Sequence, residues 1–267
     1  MNGPPPNALE HWPEIERQLR RKTPAIFLDY DGTLTPIVSR PGDARLSPER
    51  RAVLARIAAR FPLAIVSGRR RSDLPALLGL DTLVLAGSHG FDIAGPESSE
   101  LVHRPAEAFV PLLAHAAAEL RERFADVPGI LIEDKVYSLA VHYRLADEAR
   151  VPEIERALEQ ITAREPRLRI TTGKKVLELR PAIDWNKGHA LLWLLDRFGE
   201  PEALVPIFIG DDVTDEDALR AVQHNGIGIA LLDADRPTAA GFSLDSVDQV
   251  YEFLDRLLLL NSGRATA

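Results

Sequence analysis

The fold of this chain is restricted most by an apolar segment that runs straight into acidic residues. Residues 25–28 (AIFL) are followed by residues 29–33 (DYDGT). A short apolar run without helical periodicity predicts a strand buried on both faces, as in a parallel sheet. Functional groups of open α/β sheets lie where such strands end. Because residues two apart in an extended chain project to one side, about 6.5 Å apart, Asp29 and Asp31 are expected to face one small ligand together.

Strands and helices alternate along most of the chain. Further strands are predicted over residues 62–66, 82–86, 204–209 and 226–230, and helices over residues 47–60, 72–78, 187–198, 215–222 and 246–260. Alternation of this kind predicts an α/β fold, here a Rossmann-like core in which helices flank a parallel sheet through right-handed crossovers.

The pattern changes in the middle of the chain. Helices are predicted over residues 106–125 and 147–164, and strands over residues 129–134, 137–144, 168–172 and 176–179. Apolar and polar residues alternate over 137–144, which indicates a half-exposed antiparallel strand. We therefore expect an inserted α+β cap (lid) domain, residues 105–180, between two parts of a catalytic core, residues 23–104 and 181–267, after an N-terminal tail and short helix, residues 1–22.

Composition restricts the partners. The net charge of -8 argues against nucleic acid or an anionic membrane as the main partner, since both attract basic surfaces. The absence of cysteine excludes disulfides and thiolate chemistry. We find no run of about 18 apolar residues and no signal peptide, so we expect a cytoplasmic protein that does not bind membranes. We also expect a monomer.

Polar residues follow three of the predicted parallel strands, and a lysine begins a helix. They are Asp29 and Asp31, Ser67, the acidic group Asp211, Asp212 and Asp215, and Lys187. Clustered carboxylates repel each other, and a hard cation with oxygen ligands relieves the repulsion. The cluster predicts Mg²⁺, which binds a few carboxylates together with a substrate phosphate. Each piece alone also fits a solvated turn or an acidic helix start, but their combination favours a site.

These motifs resemble those of the haloacid dehalogenase superfamily, in which residues 29–34, Ser67, Lys187 and residues 210–215 match four motifs in order. Longer stretches between residues 25 and 260 resemble, within it, the trehalose-6-phosphate phosphatase family. They are residues 87–90, 133–144, 173–181, 185–188 and 210–217. Asp92 departs from the family pattern, which more often has glutamate there. The resemblance implies release of trehalose and phosphate from trehalose 6-phosphate.

The resemblance also implies the chemistry. Phosphate monoesters hydrolyse very slowly in water, and a covalent aspartyl phosphate divides the reaction into two steps. Asp29 is expected to be the nucleophile. Asp31 is expected to protonate the leaving sugar oxygen and then to accept a proton from the attacking water.

Other residues are expected to support this chemistry. The resemblance implies that Mg²⁺ is held by the Asp29 carboxylate, the Asp31 backbone carbonyl and Asp211. Lys187 adds positive charge, with Asp212 or Asp215 orienting it or the metal-bound waters. Ser67 and neighbouring backbone N–H groups are expected to hold the phosphoryl oxygens.

The cap is expected to select a small-molecule sugar phosphate. Glu133 and Lys135 face one way in an extended segment, which favours a shared grip on one sugar, and the resemblance adds Glu178. The other substrate-binding candidates are Gly68, Arg69, His89, Arg144, Lys174 and Arg180. Arg144, Lys174 and Arg180 are equally well explained as charged surface residues without a role in binding. His89 is expected to shape a turn beside the site and not to transfer a proton.

Two alternative functions follow from the sequence. One is a phosphatase for another sugar phosphate, such as sucrose or glucosylglycerol phosphate, against which Glu133, Lys135 and Glu178 argue. The other is a catalytically silent sugar-phosphate sensor that regulates a partner synthase. Silent relatives of enzymes commonly lose a motif residue, whereas here every core motif residue is present.

Overall fold

The computed structural model describes residues 4–20, 22–173, 175–232 and 236–260. Within these residues there are eight α-helices: α1 (Trp12–Leu19), α2 (Pro48–Ala58), α3 (Leu74–Leu78), α4 (Val110–Arg123), α5 (Val151–Arg164), α6 (Lys187–Phe198), α7 (Glu216–Val222) and α8 (Val247–Leu259). The same residues form twelve strands: β1 (Thr23–Leu28), β2 (Leu63–Val66), β3 (Val84–Gly87), β4 (Asp92–Ala94), β5 (Val102–His103), β6 (Leu131–Asp134), β7 (Leu139–His142), β8 (Leu168–Gly173), β9 (Val176–Pro181), β10 (Leu204–Gly210), β11 (Ile227–Leu231) and β12 (Phe242–Leu244).

The chain divides into two compact units, and the second, His103–Asp184, interrupts the first in sequence. The first unit contains a sheet with the strand order β12-β11-β10-β1-β2-β3-β4-β5. Neighbouring strands from β12 to β3 are parallel, and β4 is antiparallel to β3. The predicted α/β fold with a parallel sheet is therefore confirmed, with short additional strands, β4, β5 and β12, that the sequence pattern did not indicate.

The central strand β1 is buried on both faces. Ile26 and Leu28 lie in one apolar core, which includes side chains of α2 and α8. Ala25 and Phe27 lie in a second core, which includes side chains of α6 and α7. Because helices cover both faces of the sheet, β1 needs no polar residue until it ends at Asp29.

The N-terminal segment packs on the edge of the same sheet. The Ser243 N–H donates to the Pro6 carbonyl at 2.9 Å, and the Ala8 N–H donates to the Ser243 carbonyl at 2.8 Å. In α1, Ile15 is fully buried in the core. Among the described residues, no helix is long and apolar enough to cross a membrane.

The second unit is a four-stranded antiparallel sheet in the order β6-β7-β9-β8. The apolar side chains of α4 and α5 pack against one face, where Leu139, Val141 and Leu177 are buried. The other face is polar. In the strand register, Glu133 is next to Ala140, Ala140 is next to Glu178, and Glu178 is next to Thr171, so these residues form one row across the sheet.

The turn between β6 and β7 contains a residue in an unfavourable conformation. Val136 has a φ of +72°, although β-branched residues rarely adopt the left-handed region. The turn is held by hydrogen bonds from the Val136 N–H to Asp134 Oδ1 at 2.8 Å and from the Lys135 N–H to the Ser138 carbonyl at 2.9 Å. The Val136 side chain is 41% exposed, so little packing offsets the strain.

We predict that Val136→Asn raises the free energy of unfolding by about 1 kcal/mol, because asparagine tolerates the left-handed region better than valine. Urea unfolding measures the change. Leu145→Asn is the control, since Leu145 is exposed and is not among the positive-φ residues, and it should change stability by less than about 0.5 kcal/mol. A Val136→Asn variant no more stable than the native protein would show that the turn is unstrained.

Candidate active site

The carboxyl ends of β1 and β10 bring the predicted acidic residues together. Asp29 follows β1, and its N–H donates to the carbonyl of Ile209 in β10 at 2.9 Å. Asp211 follows β10. Carboxylate oxygens of Asp29, Asp211 and Asp215 all lie within 4.8 Å of one another. This geometry could hold a metal ion. Asp29 and Asp211 are two of the ligands that the sequence predicts, but the third carboxylate of the cluster is Asp215 and not Asp31.

Lys187 lies between two of these carboxylates. Its ammonium group, on a residue that is only 3% exposed, donates to Asp29 Oδ1 at 2.7 Å and to Asp215 Oδ1 at 2.6 Å. The side chain of Asn186 caps α6 by accepting the His189 N–H at 3.0 Å, which fixes Lys187 as the first helical residue. Burial alone would lower the pKa of Lys187, but Asp29 and Asp215 outweigh this effect and raise it. Lys187 is therefore held as a cation.

Asp215 is the carboxylate that orients the lysine. It is fully buried, and its second oxygen, Oδ2, accepts the N–H groups of Asp211 at 3.0 Å and Asp212 at 2.9 Å. Asp212 is exposed and accepts the N–H of Val213 at 2.5 Å, so it caps the turn after β10. The sequence left open which of the two aspartates contacts Lys187, and in the structure it is Asp215.

The Asp211 carboxylate contacts Thr33 and Gly32, and its pKa is raised. Thr33 Oγ1 donates to its Oδ1 at 3.1 Å. Gly32 has a φ of +81°, and a Cβ built there would lie 2.0 Å from Asp211 Oδ2, so only glycine leaves room for the carboxylate. Burial raises the pKa of Asp211 to about 7, and the charge of Asp215 adds to the effect. Burial likewise raises the pKa of Asp29, against the opposing charge of Lys187.

The structure adds a partly buried ion pair that the sequence does not predict. Arg236 Nη1 donates to Glu216 Oε1 at 2.6 Å, and its Nη2 donates to the Asp211 carbonyl at 2.9 Å. Glu216 is only 6% exposed, and its other oxygen accepts the Ala239 N–H at 2.8 Å. These contacts fix the loop that carries Asp211. Glu216 belongs to the acidic run after β10, but Arg236 stands in no motif.

Asp31 has a different partner from Asp29. Arg69 binds its carboxylate through two hydrogen bonds, Nε to Oδ2 at 2.6 Å and Nη2 to Oδ1 at 2.5 Å. A third hydrogen bond joins Arg69 Nη1 to the Pro41 carbonyl at 2.8 Å, and the guanidinium lies 5.4 Å from the centre of the Tyr30 ring. The side chain of Asp31 is 39% exposed, whereas that of Asp29 is 7% exposed. Asp29 is therefore buried against a lysine, whereas Asp31 is partly exposed and paired with an arginine.

Ser67, Gly68 and His89 lie together, and Ser67 contacts the backbone of Arg69. Ser67 follows β2, is 1% exposed, and accepts the Arg69 N–H on its Oγ at 3.2 Å. The His89 N–H donates to the Ser67 carbonyl at 2.9 Å. The His89 ring is so close to Gly68 that a Cβ there would lie 2.9 Å from its Cε1.

In the second unit, Glu178 is the centre of a polar network. It accepts hydrogen bonds from Lys135 Nζ at 3.3 Å, Ser138 Oγ at 3.1 Å and Arg180 Nε at 2.6 Å. Burial alone would raise the pKa of Glu178, but the charges of Arg180 and Lys135 outweigh it and lower the pKa. Its side chain is 13% exposed, so a charged carboxylate is held ready at the polar face of the sheet.

The remaining cap candidates are dispersed. Glu133 Oε2 pairs with His142 Nε2 at 2.8 Å, a contact that the sequence did not predict. Arg144 follows β7 and is exposed. Lys174 lies outside the described residues.

We predict that Lys187→Met in metal-free buffer lowers the free energy of unfolding by about 3–5 kcal/mol, because it leaves buried carboxylates without their cation. Burial already raises the pKa of Asp29 in the folded protein, and loss of the opposing Lys187 charge raises it further above the unfolded value. The folded state binds more protons, so stability falls as the pH rises from about 5 to 8. Urea unfolding at several pH values measures both effects.

Arg220→Met is the matched control for Lys187→Met. Arg220 pairs with Asp217 at 3.1 Å on the surface, where its side chain is 62% exposed. Removing this cation should change stability by less than about 0.5 kcal/mol at every pH. Equal losses in the two variants would contradict the assigned role of Lys187.

The chain is similar to known proteins over most of its length. Residues 27–248 match the model of the trehalose-phosphatase family. The trehalose-phosphate phosphatase of Mycobacterium tuberculosis (strain ATCC 25618 / H37Rv) is 45% identical over 241 residues, which cover 88% of this chain and 61% of that protein. The chain thus spans about three fifths of the length of the curated relatives it matches.

Solved structures agree with this match. The C-terminal domain of a Candida albicans trehalose-6-phosphate phosphatase superposes with a TM-score of 0.73 at 26% identity, covering 98% of this chain and all (100%) of that one. The C-terminal domain of a Candida albicans trehalose synthase regulatory protein has a TM-score of 0.67 at 14% identity, covering 96% and 100%, and shows the shared fold alone. These matches confirm the resemblance seen in the motifs.

Proposed function

Because the chain belongs to the trehalose-phosphatase family, we propose that it hydrolyses trehalose 6-phosphate to trehalose and inorganic phosphate in a Mg²⁺-dependent reaction. The observation that carries the proposal is the buried contact of Lys187 with Asp29, next to Asp211. It supplies an anchored nucleophile beside a group of carboxylates suited to a cation. Monomeric state, cytoplasmic location and the absence of nucleic-acid partners stay predictions.

In the first step, Asp29 attacks phosphorus. Lys187 holds one carboxylate oxygen, Oδ1, which leaves Oδ2 to form the bond to phosphorus while the bond to the sugar oxygen breaks. The phosphoryl group is then on Asp29, and the sugar oxygen takes a proton from Asp31. In the second step, water attacks phosphorus and gives a proton to Asp31. The bond between phosphorus and the Asp29 oxygen breaks, so phosphate leaves and the Asp29 carboxylate is restored.

The surroundings of the two aspartates support this division of roles. Asp29 is buried, bound to a lysine and rigid at the end of β1, as a nucleophile requires. Asp31 is more exposed, with 39% of its side chain accessible, and is bound to the guanidinium of Arg69. We propose that a phosphoryl group competes for Arg69, together with Ser67 and the Gly68 N–H, and so frees Asp31 for proton transfer.

The acidic residues fit Mg²⁺. The donor atoms of Asp29, Asp211 and Asp215 are hard oxygens within 4.8 Å of one another, and the missing side chain of Gly32 gives the Asp211 carboxylate the room to lie there. We propose that Asp29, the Asp31 backbone carbonyl and Asp211 hold the ion. Asp215 is not proposed as a ligand, since its oxygens already accept hydrogen bonds from Lys187 and two N–H groups; it orients Lys187 and the loop that carries Asp211. When bound, Mg²⁺ offsets the repulsion between these carboxylates and the phosphate.

The polar face of the second unit is the proposed sugar-binding surface. Glu178 is charged and already held by Lys135 and Arg180, so it accepts hydrogen bonds from sugar hydroxyls with little loss of side-chain freedom. Glu133 lies in the same row of the sheet. Arg144 and Lys174 are proposed only as outer contacts.

The test is phosphate release from a panel of sugar phosphates with Mg²⁺. Trehalose 6-phosphate should be hydrolysed far faster than sucrose or glucosylglycerol phosphate, and chelation of the metal should stop the reaction. Asp29→Asn should lower kcat by at least about 10³-fold, because the nucleophile is lost. Glu178→Gln should lower kcat/KM for trehalose 6-phosphate by about 10–100-fold, the effect of losing a charged hydrogen-bond partner.

Control measurements separate the two sites. Glu178→Gln should leave the slow hydrolysis of p-nitrophenyl phosphate unchanged, since that substrate has no sugar. Glu155→Gln changes an exposed glutamate of α5 and should affect neither substrate. Equal rates for all sugar phosphates would contradict the proposed substrate. Binding of trehalose 6-phosphate without hydrolysis would favour the sensor, whose fold the regulatory-protein domain shares.

A further inference from the structure

The loop after β3 contains two adjacent non-glycine residues in the left-handed region. Ser88 has a φ of +51°, and His89 has a φ of +57° with a ψ of +31°. Each such residue costs on the order of 1 kcal/mol, and the conformation persists only where the surroundings enforce it. Ser88 is 4% exposed and His89 is next to Gly90, which is also buried. The loop is therefore both strained and tightly enclosed.

The N–H groups of this loop bind the backbone of the loop after β2. The His89 N–H donates to the Ser67 carbonyl at 2.9 Å, and the Ser88 N–H donates to the Arg69 carbonyl at 2.7 Å. The Ser67 N–H donates in turn to the carbonyl of Ala86 at 2.8 Å. The Ser88 N–H follows extended Gly87, whereas the direction of the His89 N–H depends on the left-handed Ser88 before it. The left-handed backbone of His89 then directs the chain on toward β4, so a different conformation there would displace this N–H.

The direction of the Ser67 carbonyl fixes the direction of the next N–H group. In a trans peptide the C=O of one residue and the N–H of the following residue point in opposite directions. Because the Ser67 carbonyl points to His89, the Gly68 N–H points away from that loop. Within the described part of the chain, this N–H has no hydrogen-bond acceptor. It is thus available to an oxyanion.

We infer that the left-handed backbone at Ser88 and His89, and not the imidazole, presents the Gly68 N–H to the phosphoryl group. His89 is then a positioning residue, although the sequence placed it among the substrate-binding candidates. Its ring has a second, packing role, since it lies against Gly68. The inference rests on the proposed function only in that a phosphoryl group binds beside Ser67 and Gly68.

The experiment is calorimetric binding of inorganic phosphate in the presence of Mg²⁺, which needs no turnover. His89→Gly and His89→Asn accept the left-handed region, and His89→Val does not. We expect His89→Val to weaken phosphate binding by about 10-fold or more, the loss of one charge-assisted hydrogen bond, and both permissive variants to bind within about threefold of the native protein. His89→Ala, whose Cβ is only moderately strained, should lie between them.

His115→Val is the matched control, because His115 is exposed on α4 and is not among the positive-φ residues. It should leave phosphate binding unchanged. If His89→Val fails to fold, the graded order of His89→Gly, His89→Asn and His89→Ala decides.

Two results would overturn the inference. Equal losses in His89→Gly and His89→Val would show that the imidazole ring, through phosphate contact or packing on Gly68, matters and the backbone conformation does not. Native affinity in His89→Val would show that the backbone conformation is unimportant. If the native protein binds phosphate but hydrolyses no sugar phosphate, the proposed function fails, and the binding series still decides the role of His89.

Discussion

The buried hydrogen-bonded group formed by Lys187, Asp29 and Asp215 is the interaction on which the site depends. Charges removed from water are costly unless close opposite charges and hydrogen bonds offset the loss. Here Lys187 has two carboxylates at 2.6–2.7 Å, and Asp215 has two further N–H donors. Since Asp29 and Lys187 are 158 residues apart in sequence, only the completed sheet and α6 bring them together. The contact that orients the proposed nucleophile therefore forms only when the chain folds.

The same electrostatics separate residues that look alike in the sequence. Asp29 contacts a buried lysine, whereas Asp31 is more exposed and contacts an arginine, so one is suited to bond formation and the other to proton transfer. Asp211 lacks a cationic side-chain partner of its own in the described residues, and burial raises its pKa to about 7. A bound cation would favour its charged form, which links the acidic cluster to Mg²⁺.

The sequence predicted the parts of the fold that depend on local patterns. Strand β1 and its terminal acids were predictable because four apolar residues meet two carboxylates without polar alternation. Strands β4, β5 and β12 have only two or three residues each, too few to show a period. The contacts of Arg69 with Asp31 and of Arg236 with Glu216 depend on tertiary placement of long side chains. The left-handed conformation of His89 has no sequence signal, since it is imposed by neighbouring loops.

Asp29 is the proposed covalent nucleophile, and acid quenching tests this role most directly. The native protein is mixed with Mg²⁺ and trehalose 6-phosphate, stopped in acid within one turnover, and its peptides are mapped by mass spectrometry. We expect a phosphoryl group on the peptide that contains the end of β1, attached to Asp29 and absent from Asp29→Asn. Rapid release of phosphate without any phosphorylated peptide, or phosphate attached to another residue, would contradict it.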